Sequence, residues 1–154
     1  MNKPENRRPV AVWLLLVMQA FLGVTALQGG ASLLLDPSGA GLGLSLSQLS
    51  GTNLGSYLLP GLILFLVLGV GSLLVLFACW KRPGIEAPEP AERRGKPHWS
   101  WLAAAGLGCA LLVWLTVQMA LIGYRHFLQL AYAAIGVGML VILQLPLVRR
   151  HFQQ

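Results

Sequence analysis

The chain has 154 residues, of which 56% are hydrophobic and 10% charged, and its formal net charge is +6. Its mean hydropathy is +0.69. That leaves too little polar surface for a water-soluble domain of this length. The positive balance is accounted for below by topology and by attraction to anionic lipid, so no nucleic-acid partner is expected.

Four apolar runs carry no charged residue: 10–27, 57–80, 99–122 and 127–148. Each approaches or exceeds the roughly 20 helical residues that cross a hydrocarbon core of about 30 Å. Lipid cannot satisfy open backbone groups, so these runs are predicted to be helices. The expected fold is an all-α membrane protein, a single four-helix bundle over 1–154.

The first run follows Lys3, Arg7 and Arg8 and ends in "VTALQ". Val24 and Ala26 also fit a signal-peptide cleavage rule, so removal of residues 1–26 is the rival reading. The run is longer than an ordinary signal-peptide core, which favours retention.

The stretch 28–56 then reads "QGGASLLLDPSGAGLGLSLSQLSGTNLGS", with Asp36 as its one charge. "DPSG" is a turn signal. Leu42, Leu44 and Leu46 alternate with small residues, which fits a short extended segment with one apolar face. Leucines left in water would forfeit several kcal/mol, so this outer loop is expected to be partly structured and folded back over the bundle. Pro60 falls in the first turn of the second helix, where a missing N–H costs little.

The linker 81–98, "KRPGIEAPEPAERRGKPH", has four prolines and no apolar pattern, and reads as solvated. Of the 11 Lys and Arg residues, all but Arg125 fall in the two tails or this linker. By the positive-inside rule these regions face the cytoplasm, with both termini inside. An inner (plasma) membrane location is the corresponding expectation. Trp13, Trp80, Trp99, Trp101 and Tyr57 lie near run ends, as interfacial anchors do.

The segment "GGASLLLDPSGAGLGLSLSQLSGTNLGSYLLPGLILFLVLGVG", with its "DPSG" turn and a helix entry of the form YLxPGLxLFxxLG, resembles a family of uncharacterised small bacterial four-helix integral membrane proteins. "IGYRHFLQ", preceded by Gln118, is similar to their third-to-fourth hairpin. Thr52 and Asn53 stand where that pattern carries a small residue, proline and an aromatic. The resemblance implies a bundle with a structured outer cap and implies no reaction.

Arg125 is the isolated cation on the outer side. With Asp36 it forms a candidate structural anchor, the guanidinium fork pinning the "DPSG" turn. The alternative is an Arg125 that snorkels to lipid phosphates while Asp36 closes its own turn. Gln118, Tyr124, Arg125 and Gln129 form a candidate ligand-binding set at the same end. Gln118 and Arg125 are seven residues apart, and Gln129 shares a helix face with Tyr132.

Each of the last three helices carries a Gly-x-Gly: Gly69 and Gly71, Gly106 and Gly108, Gly136 and Gly138. These read as close-packing positions. Cys79 and Cys109 lie inside helices and form no CxxC, so neither a disulfide framework nor a redox pair is expected.

No Asp, Glu, Lys or Arg lies within the apolar runs, and His98, His126 and His151 are dispersed. No metal site, cofactor or catalytic set is therefore expected. The leading expectation is a non-enzymatic partner, assembly or envelope component, working with a protein partner or a second copy. The alternative is a membrane module that binds a lipid or small apolar ligand in an outer-leaflet pocket beneath the loop. An enzyme acting on lipid through Asp36, His126 and Arg125 is the third reading. A polar-lined pocket beneath the loop favours binding, and a filled bundle favours the partner.

Overall fold

The computed structural model describes residues 8–81, 98–124 and 127–152. Every regular element among them is helical. Four helices are long and apolar enough to cross a membrane: α1, Val10–Leu35; α2, Leu58–Lys81; α3, Trp99–Ile122; and α4, Phe127–Gln144. A short α5, Pro146–His151, follows. The protein is an all-α four-helix membrane bundle. Each helix packs on its sequence neighbour, and α4 closes the ring against α1. Among the described residues the diagonal pairs, α1 with α3 and α2 with α4, come nowhere within 8 Å between Cα atoms.

Helix α1 runs well past the expected end at Leu27. "QGG" reads as a stop, yet Gly30 marks a close crossing. A Cβ on Gly30 would stand 2.7 Å from the Phe65 backbone. Within α1, Thr25 and Ser32 return their hydroxyls to the carbonyls of Phe21 and Gln28, so neither hydroxyl is left open in the apolar layer. The partner helix uses the same device. A Cβ on Gly61 would meet Leu33 at 2.6 Å, and one on Gly69 would meet Leu27 at 2.7 Å. Glycines on both helices thus let α1 and α2 lie unusually close. Helix α2 is π-helical over Leu64–Val70.

Helices α3 and α4 form an antiparallel hairpin around Gly123, whose φ of 74° suits glycine. Gly108 admits Leu140, and Gly136 admits Leu112. Of the six Gly-x-Gly glycines, Gly106 has nothing within 4 Å of a Cβ, so it faces away from the packing. Helix α4 stops at Gln144, short of the expected Val148, because Pro146 cannot continue the hydrogen-bond ladder and instead starts α5. Helix α5 folds across the bundle end. Phe152 O accepts from His98 N at 2.8 Å, and Leu143 O accepts from Trp101 Nε1 at 3.0 Å.

That end, where residues 8 and 152 lie, is belted by aromatic rings and cations. Trp13 and Trp80 meet edge to face at 5.3 Å, with the Arg8 guanidinium over both. Arg149 lies over Trp101, and Lys81 over Phe77. In the core, Gln19 is fully buried, and neither amide atom finds a hydrogen-bond partner among the described residues.

Candidate ligand cavity beneath the cap

Residues 36–57 cover the opposite end. Asp36 organises the turn. Its Oδ1 accepts from Ser38 N and Oγ, and its Oδ2 accepts from Gly41 N at 3.0 Å. The Ser38 hydroxyl and then the Gly41 amide hold this carboxyl below the ordinary aspartate value. The expected extended run through Leu42–Leu46 is not formed. Two 3₁₀ turns, Ala40–Leu42 and Leu46–Leu49, stand there instead. Gly39 and Gly43 take φ of 75° and 68° and reverse the chain, and Leu44 N donates to Gly39 O. A side chain on Gly39 would also strike Leu44 and Tyr57. The leucine alternation therefore follows the turns and does not mark a strand.

Tyr57 ties the cap down. Its backbone N donates to Pro37 O, and its hydroxyl donates to Ser45 O at 2.9 Å and to Gln48 Oε1 at 3.1 Å. Leu33, Leu49 and Tyr57 are buried together, with Leu44, Leu54 and Leu64 packed against them. The loop is thus a structured cap over the bundle.

Beneath it the four helices do not fill the space. The α1–α2 glycine contacts draw Leu58–Ile63 toward α1, and that segment has no Cα within 8 Å of α3. A partly open lobe of about 160 Å³ occupies this wedge between α2 and α3, with Leu59, Ile63, Val117 and Leu121 in its walls. A second lobe of about 270 Å³ lies toward α1 and α4, bounded by Thr25, Gly29, Leu128, Gln129 and Tyr132. Deeper in the bundle that seam is closed, by the Phe21–Tyr132 ring contact at 6.2 Å and by Met18 against Gly138. The two lobes share Leu33, Leu44, Leu64, Trp114, Gln118 and Ile122 as walls.

Gln118 and Gln129, both expected as ligand contacts, line this cavity. Gln129 is 6% exposed and donates from Nε2 to Gly123 O at 3.3 Å. Gln118 is half-buried, lines both lobes, and makes no side-chain hydrogen bond among the described residues. Tyr124 is 65% exposed and lines neither lobe, so it does not join the set. Arg125 and His126 lie outside the described residues, so the proposed Asp36–Arg125 anchor and Asp36–His126 contact lie outside them too. The Asp36 carboxylate oxygens already hold three donors from its own turn.

Sequence reasoning passed over Trp114 and Thr25 as wall residues and placed Tyr132 only on the helix face of Gln129. Trp114 carried a signal: it alone of the five tryptophans lies deep inside an apolar run, and it precedes Gln118 by one helical turn. Thr25 was hidden because its hydroxyl bonds the Phe21 carbonyl and so looks like ordinary helix packing.

No group of three metal-ligating side chains occurs among the described residues. Cys79 is buried, with its Sγ donating to Ser100 O at 3.7 Å, and Cys109 is exposed. The chain matches no protein-family model, no curated protein and no solved structure.

Proposed function

We infer that this chain is a ligand-binding membrane module that holds a lipid or similar apolar molecule beneath its cap. The observation that carries this reading is the cavity itself: apolar walls, a structured roof, and the amides of Gln118 and Gln129 as orienting groups. Ligand sites have this mixture of apolar lining and few polar groups. Leaving the larger, partly open lobe empty forfeits the dispersion contacts of its apolar walls. The bundle does not collapse to remove it because the glycine contacts hold α2 against α1. An occupant offsets that cost, and a bilayer offers acyl chains at high concentration.

The distribution of Lys and Arg supports an orientation with the termini in the cytoplasm and the cap on the outer face of an inner membrane. A tag at Gln154 accessible only from outside the cell would refute it.

The test of binding uses the full chain, purified in mild detergent and exchanged extensively before organic extraction and lipid mass spectrometry. Wild type is expected to retain a stoichiometric ligand, and a Val117→Trp/Leu128→Trp variant, which obstructs both lobes from exposed positions, is expected to lose it. A wild-type protein that retains nothing overturns the reading.

A second reading, a non-enzymatic partner or assembly component, is favoured by one observation. Leu35, Leu42, Leu46 and Tyr124 are exposed around the capped end. A photo-crosslinker at Tyr124 that captured a discrete protein in native membranes would support it; labelling of lipid alone would refute it.

A further inference from the structure

We propose that the occupant is a two-chained lipid, one acyl chain in each lobe, with its uncharged ester linkage held by the amide of Gln118. The proposal rests on the binding reading above and names the ligand class.

The two lobes lie against opposite seams of the ring, one between α2 and α3 and the other between α4 and α1. They meet only along the shared walls, where Trp114 and Gln118 stand between them. At about 160 and 270 Å³ neither holds a whole acyl chain, and both are partly open. Two chains diverging from one branch point would each enter a lobe and run out along its seam. A single chain would leave one lobe unfilled.

The branch point needs a polar contact in the common wall, and one is there. An amide offers two N–H donors, one for each of two ester carbonyls, and a carbonyl besides. Of the other polar walls, Tyr57 donates to Ser45 O, Thr25 to Phe21 O, and Gln129 to Gly123 O, while the Tyr132 hydroxyl and the Trp114 indole N–H offer one donor each and no paired set. Gln118, unlike Tyr57, Thr25 and Gln129, makes no side-chain hydrogen bond with the described residues.

Depth agrees. Gln118 lies four residues before the end of α3, or about 6 Å below it. A 24-residue helix is about 36 Å long, so a core of about 30 Å puts Gln118 near the edge of the hydrocarbon, at the level of glycerolipid esters. No charged side chain among the described residues lines either lobe, so a fatty-acid carboxylate would go unpaired there.

The experiment compares a diacyl phospholipid with the lysophospholipid of the same head group and chain, titrated onto the delipidated full chain and read by native mass spectrometry. Wild type is expected to hold the diacyl lipid at least about tenfold more tightly, since a whole apolar chain distinguishes the two. Gln118→Leu is expected to weaken the diacyl lipid about tenfold. Val117→Trp and Leu128→Trp, taken singly, are each expected to reduce it to the lysolipid level. Diacyl lipids with a diazirine on one chain or the other, used on wild type, read the same geometry without a variant: both lobes are labelled. Equal binding of the two lipids, or labels confined to one lobe, overturns the two-chain proposal and leaves the binding reading standing. Failure to bind either lipid refutes both.

Discussion

The α1–α2 crossing makes a prediction whose sign depends on which glycine is changed. Gly30→Ala adds one methyl group that would sit 2.7 Å from Phe65 N, Cα and Cβ. The obstacle is a helix backbone, which cannot rotate aside, so α2 must move away by more than half an ångström from ordinary contact near 3.4 Å. Overpacking of that kind costs about 1–3 kcal/mol. Alanine returns up to about 1 kcal/mol of helix propensity, so the net loss expected is about 1–2 kcal/mol. Gly106→Ala is the matched control. Nothing lies within 4 Å of its added Cβ, so only the propensity gain remains, a stabilisation of about 0.5–1 kcal/mol. The two variants carry the same chemical change in the same kind of helix. Reversible unfolding in mixed micelles with increasing SDS, followed by tryptophan fluorescence, measures both. If Gly30→Ala unfolds at the same SDS fraction as Gly106→Ala, or later, glycine contacts do not hold α1 and α2 together, and the origin of the cavity argued above fails with them.

Two further outcomes follow from polar groups. Gln19→Leu removes a buried amide with no partner among the described residues and is expected to stabilise the bundle by about 1–3 kcal/mol in the same SDS titration; a destabilised variant would mean that the amide is satisfied. Asp36 has its folded pKa lowered by Ser38 and Gly41, so its contribution to the cap is complete above the ordinary aspartate value of about 3.9 and lost as pH falls through the lower folded value. Hydrogen-exchange protection of the Gly41 amide, corrected for intrinsic rates, should be level above pH 5 and drop on acidification below it, and Asp36→Asn should abolish that drop. Protection that rises on acidification would refute the assignment.

The four spans were readable because length and absence of charge alone decide them, and neither depends on which helix meets which. The ends were less readable because they depend on tertiary partners. "QGG" has the composition of a terminator, but Gly30 lies against Phe65, and that contact exists only once α2 is in place. The leucine alternation in the cap suggested a strand, and the positive φ of Gly39 and Gly43 decided otherwise. Gln118 and Gln129 could be anticipated because amides in an apolar run need a reason to be there. Trp114 was harder to find, because indole belongs in the interior of a bundle as readily as in the wall of a pocket.

The position of the cavity follows from how small residues are distributed. Gly23, Gly30, Gly61 and Gly69 bind α1 to α2 along most of their length, and Gly108 and Gly136 bind α3 to α4. The bundle is therefore two tight pairs joined along two looser seams. At the end where residues 8 and 152 lie, Trp101–Leu143, His98–Phe152 and Arg8–Trp80 tie the members within each pair, and Cys79 Sγ on α2 donates to Ser100 O on α3 across one seam at 3.7 Å. At the capped end the cap bridges the pairs with apolar contacts from Leu44 and Leu49. Apolar contacts tolerate changes of separation that hydrogen bonds do not, so any widening of the seams to admit a ligand should occur under the cap. This gives the cap a mechanical role beyond covering leucines. In the proposed binding module it sets the resting width of the two lateral openings, with Trp114 and Gln118 on α3 between them.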